Sequence, residues 1–213
     1  MRSADAATIV RVLIIVLVAY LIIGRMSPFI IIALIAIAMA MDAADGFMAV
    51  NEISGGRVGL ATYVRSLGGD ARSRKIVRSF KEKISKRYKY GARIDVAGDR
   101  AVEYILWLVY TYVNVIPLFV LILVIIRHSF VDAVMASKGT SSRLKTKFAM
   151  AVYSSNIGRG GINVVKFLAF SYLSLVYIAG YPAWIGYVLV FILVAYILLR
   201  GAAELYEAHE SER

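Results

Sequence analysis

Apolar runs recur along this chain at lengths that call for a membrane rather than a soluble core. Six segments carry them: residues 4–23, 28–50, 93–113, 117–126 with a polar continuation to Asp132, 148–180 and 183–200. With 60% hydrophobic residues and a mean hydropathy of +0.72, the composition excludes an ordinary soluble domain. Several runs are too short to cross hydrocarbon unaided; 12–23 reaches the roughly 20 residues needed only if Thr8 and Arg11 are included. The polar halves lie at the start of the first segment, the end of the second, and so on in alternation, so all six polar ends face one side. The basic stretches 51–90 and 136–147 lie on that side too, and the Lys/Arg asymmetry makes it cytoplasmic. The expected fold is an all-α membrane protein: six transmembrane helices, both termini cytoplasmic, and a polar cavity open to the cytoplasm. The whole chain, 1–213, is expected to form one membrane domain with a basic cytoplasmic insertion at 51–90.

The net charge of +11 has a topological use here and needs no nucleic acid to explain it. The insertion holds 11 of the 25 Lys and Arg residues. Within it Val77, Phe80, Ile84 and Tyr88 recur at helical spacing, which predicts an amphipathic helix lying on anionic headgroups. Without cysteine, the chain has no disulfide and no thiolate metal ligand.

Against this apolar background four carboxylates stand out. Asp42 and Asp45 are three residues apart near the end of the second segment. Asp95 and Asp99 are four apart at the start of the third. Each pair shares a helix face. Four uncompensated charges beside hydrocarbon are costly, and oxygen-rich clusters are how proteins hold Mg2+, Mn2+ or Ca2+. The competing explanation is ion pairing with Arg93 and Arg100.

The two stretches, MDAADGFMAV at 41–50 and GARIDVAGDR at 91–100, resemble the CDP-alcohol phosphatidyltransferase family, whose pattern is D-x2-D-G-x2-A-R followed after about eight residues by G-x3-D-x3-D. Asp42, Asp45, Gly46 and Ala49 fit its first half; Gly91, Asp95 and Asp99 fit its second. Upstream, Thr8 and Arg11 resemble part of an N-x-x-T-x-x-R stretch of the family's first helix. The resemblance implies transfer of the phosphatidyl group of a CDP-linked lipid to a small alcohol, with release of CMP, in phospholipid biosynthesis. It implies two divalent ions, Mg2+ or Mn2+, on Asp42, Asp45, Asp95 and Asp99, with Asp99 also the general base. Thr8, Arg11, Gly46, Ala49, Gly91 and Arg100 would contact the CDP-lipid. Arg127, Arg143, Lys145, Arg159 and Lys166 would line an acceptor site suited to a phosphorylated alcohol such as inositol phosphate or glycerol 3-phosphate. It also implies a homodimer in a cell membrane, with the site facing the cytoplasm.

Two departures stand against the pattern. Position 50 is Val where the family has Arg, and 40 residues separate the halves where about eight are expected. Arg57 or Arg93 is the candidate to supply the missing contact. Two other functions fit parts of the sequence: an inactive family member serving as a membrane scaffold, which the missing Arg leaves open, and an ion-coupled transporter, which intramembrane carboxylates also mark. Neither explains four aspartates at these spacings.

Overall fold

The structure, a computed structural model, describes residues 3–68, 70–88, 91–138 and 156–210. Among them are eight helices and no strand: α1 Ser3–Ile23, α2 Pro28–Ser54, α3 Leu60–Leu67, α4 Ala71–Arg87, α5 Gly91–Tyr112, α6 Leu118–Lys138, α7 Asn156–Ala179 and α8 Ala183–Glu210. The three prolines mark helix starts. Pro28 opens α2, and Pro117 and Pro182 directly precede α6 and α8, where a fixed φ helps and no amide donor is lost. Left-handed residues follow the helix ends. After α2, Gly55 (φ 61°) donates to Glu52 O at 3.2 Å, and Gly56 donates to Asn51 O at 3.0 Å. This crossed pair satisfies carbonyls the helix leaves open. Arg25 and Asn114 repeat the arrangement after α1 and α5 with φ of 51° and 59°.

Five helices are long and apolar enough to cross a membrane: α1, α2, α6, α7 and α8. The remaining predicted span, α5, has 22 residues, but Arg93, Asp95, Asp99 and Arg100 fall in its first half, and Glu103 follows just beyond it. The chain divides into two compact units. One comprises residues 1–20 and 32–105, the other 21–31 and 106–213.

In the first unit the insertion is a folded structure. Helix α2 runs four residues past its expected end, and α3, which hydropathy alone does not single out, forms between two glycine pairs. Asp70 caps α4 by accepting from Ser73 N at 2.8 Å. That bond holds its carboxyl below the usual carboxylate value. Val50, Val58, Tyr63 and Val77 form a buried cluster, with Phe47, Phe80 and Ile84 packed on it. This corrects the expected role of the α4 stripe. Val77, Phe80 and Ile84 face α3 and the end of α2, not a lipid surface, because residues 54–67 supply an apolar partner closer to hand.

In the second unit the end of α5 packs on α7. The Trp107 and Phe170 rings meet edge-on at 5.1 Å, and the buried Tyr110 hydroxyl donates to Phe170 O at 2.6 Å. Helix α7 meets α8 at Gly186, where a Cβ would stand 3.2 Å from Leu173. Helix α8, expected to end at Arg200, continues to Glu210. Its extension buries Gly201, Ala203, Glu204, Glu207 and Ala208, a helical spacing of small and acidic residues that hydropathy alone passes over. His209 is exposed.

Candidate metal centre

Helix α2 is apolar for more than three turns before it reaches Asp42 and Asp45, and α5 opens with Asp95 and Asp99 before it turns apolar. The first unit brings these two polar ends together. Carboxylate oxygens of Asp42, Asp45 and Asp95 lie within 4.8 Å of one another, each residue half-buried. The donor set is oxygen only and doubly anionic or more, which suits a hard divalent cation such as Mg2+ or Mn2+ and not a soft one.

The fourth carboxylate is placed differently. Asp99 is outside the group of three. Its Oδ1 accepts from Arg11 Nη2 at 2.7 Å, while Arg11 Nη1 is paired with Asp42 Oδ1. Oδ2 of Asp99 has no hydrogen bond among the described residues. Arg11 is thus a counter-charge to Asp42 and Asp99, while Arg93 is exposed and Arg100 lies 3.8 Å from the buried Glu103. Arg11 is 3% exposed, and its Nε has no hydrogen-bond partner among the described residues. A guanidinium so placed straddles two acidic residues from two helices, so it organises the site from within.

A close helix crossing allows that reach. Gly98 of α5 lies against the Thr8 methyl of α1, with no room for a Cβ, and Arg11 Nη2 is 3.4 Å from the same point. Thr8 donates its hydroxyl to Ala4 O at 3.1 Å. Its observed work is thus helix packing, where contact with the CDP-lipid is expected. Gly98 was not singled out by the motif, although it directly precedes Asp99.

Gly46 also has an explanation of its own. A Cβ there would stand 2.6 Å from the Tyr63 hydroxyl, so α3 occupies the approach that the resemblance assigns to the nucleotide. Tyr63 is 6% exposed, and its ring meets Phe47 edge-on at 5.7 Å. Burial, and then the charge of Asp45, push its phenol above the ordinary value. Val50 is fully buried in the cluster under Tyr63. An Arg in its place would put a charge into that apolar core. Arg57 and Arg93, the candidate substitutes, are both exposed. Ala49 is half-buried on α2, and Gly91 is the first residue of α5.

The basic residues assigned to an acceptor site divide. Arg143 and Lys145 lie outside the described residues, as does the side chain of Arg159. Lys166 is half-buried on α7. Arg127 is buried in the second unit and engaged there. Its Nε donates to Ile197 O at 3.0 Å, Nη2 donates to Glu204 Oε2 at 2.7 Å, and Nη1 lies 2.8 Å from His128 Nδ1. Gly201 makes room for it; a Cβ there would lie 2.7 Å from Arg127 Nε. Arg127 thus clamps α6 to α8, a role that the sequence does not announce because Glu204 lies in what reads as a polar tail. Comparison with protein-family models, with curated proteins and with solved structures finds no match for this chain.

Proposed function

We propose that this chain is a membrane-embedded transferase that moves the phosphatidyl group of a CDP-linked lipid onto an alcohol. The observation that carries the reading is the convergence of Asp42, Asp45 and Asp95 from two helices to within 4.8 Å, at the spacing of the motif that first suggested the reaction. In this account α5 is the sixth span. Its charged first half stands in a polar cavity on the cytoplasmic side, where both termini also lie. Helices α2 and α8, at 27 and 28 residues, would be about 40 Å long against about 30 Å of hydrocarbon, which lets their polar ends emerge on that side.

The three carboxylates are the ligands for Mg2+ or Mn2+. Bound there, divalent ions would neutralise the diphosphate as its bond to CMP breaks. Arg11 fixes Asp42 and Asp99 relative to each other. Asp99, held at Oδ1, accepts the proton of the attacking hydroxyl at Oδ2. The alcohol oxygen bonds to the phosphorus on the lipid side, the anhydride P–O bond breaks, and its electron pair leaves with CMP. A phosphorylated alcohol remains the proposed acceptor, with Arg127 set aside because the fold already engages it.

The test is CMP release from a CDP-linked lipid by the purified protein in detergent. Mg2+ or Mn2+ is added, and inositol phosphate, glycerol 3-phosphate, inositol and serine are offered separately. The expected result is metal-dependent release with one phosphorylated acceptor, reduced by a factor of 100 or more in Asp99→Asn, about the contribution of a general base. No release with any acceptor, or release indifferent to metal, would overturn the reading.

A further inference from the structure

Resting on that reading, we infer that Tyr63, carried in by the 51–90 insertion, is a substrate-contacting residue whose hydroxyl donates a hydrogen bond to the diphosphate of the bound CDP-lipid. Three observations point there. The hydroxyl stands over Gly46, one residue from Asp45 and on the acidic helix itself, at a separation that no Cβ would tolerate. The residue is 6% exposed, and its hydroxyl makes no hydrogen bond among the described residues. The oxygen itself is not sealed from solvent, so a ligand oxygen arriving at the carboxylates can reach it and accept its hydrogen bond. Finally, the position is built. Phe47 meets the ring edge-on, Val50, Val58 and Val77 bury it, and Lys81 Nζ lies 5.7 Å from its centroid.

The insertion then has a use. A neutral O–H donor beside the acidic group favours an oxygen acceptor without adding a charge. It offers a phosphate contact on the same stretch of α2 where the family pattern has Arg and this chain has a buried Val50. The order of the chain agrees: α2 delivers Asp42, Asp45 and Gly46, turns at Gly55 and Gly56, and returns as α3 to lay Tyr63 on Gly46. Glycine at 46 is therefore required by the tyrosine that approaches it.

Calorimetric titration of the detergent-purified full chain tests this, with Mn2+ alone and then with CDP at saturating Mn2+. Tyr63→Phe keeps the ring and removes only the donor. It is expected to bind Mn2+ as the wild type does and CDP about tenfold more weakly, the size of a lost hydrogen bond to a charged group. Gly46→Ala, which displaces the hydroxyl, is expected to weaken CDP binding to the same degree. Wild-type CDP affinity in Tyr63→Phe overturns the inference and leaves the reaction standing. A loss confined to Mn2+ binding also overturns it, since the hydroxyl would then serve Asp45. No CDP binding by the wild type overturns the underlying reading and this inference with it.

Discussion

At the scale of single residues, the account turns on Arg11. It is one charge in an otherwise apolar stretch, and the sequence makes it visible for that reason alone. Its partners are not visible, because Asp99 lies 88 positions away and nothing local announces the pairing. The structure makes it the internal counter-charge of the acidic site, bonded to Asp42 and Asp99. Arg11→Met keeps the apolar stem and removes the charge. It is expected to destabilise the protein by about 1–3 kcal/mol, less than a fully buried pair would lose because both aspartates are partly exposed. Mn2+ should then raise the melting temperature of Arg11→Met by more than it raises that of the wild type, because the ion takes over the neutralisation. An equal rise in both, measured by thermal shift in detergent, would contradict this placement. The aspartates were legible for a different reason: carboxylates at spacings of three and four have few other uses beside apolar sequence. Tyr63 and Gly98 were not legible, since an aromatic in a polar loop and a glycine in a helix carry no chemistry until their neighbours are known.

At the scale of elements, the apolar runs predicted the long helices well, because twenty apolar residues leave few alternatives. The errors fall where apolarity is weak. Helix α3 is only eight residues long, too short to declare itself by period, and it is stabilised by the cluster it shares with α2 and α4. The last ten residues of α8 hold Glu204 and Glu207, which read as tail and prove to be buried. The α4 stripe is legible in the sequence but its partner is not, since periodicity gives a face and not what covers it. The crossing of α1 and α5 is the contact most open to test. Gly98→Ala introduces a methyl against Thr8 and should cost about 1–3 kcal/mol, with loss of the Arg11–Asp99 bond. Adding Thr8→Ala removes the opposing methyl and should restore most of the melting temperature. A double variant no more stable than Gly98→Ala alone would mean that the two helices do not meet at this point.

At the scale of the whole molecule, the account joins an all-helical, membrane-type chain to one acidic centre. Among the described residues five helices can cross a membrane by length and composition; α5 falls short because its first half carries the charged residues from which the centre is built. Hydropathy and chemistry therefore compete for the same segment, an apolar run with its charges at the front. The centre itself depends on α2 and α5 acting together, since neither supplies three carboxylates alone. Mn2+ binding, followed by electron paramagnetic resonance on the wild type, Asp45→Asn and Asp95→Asn, tests that dependence directly. The account predicts binding by the wild type and a loss of affinity of at least tenfold in each variant, one from each helix. Wild-type Mn2+ affinity in either variant would contradict a centre shared between α2 and α5.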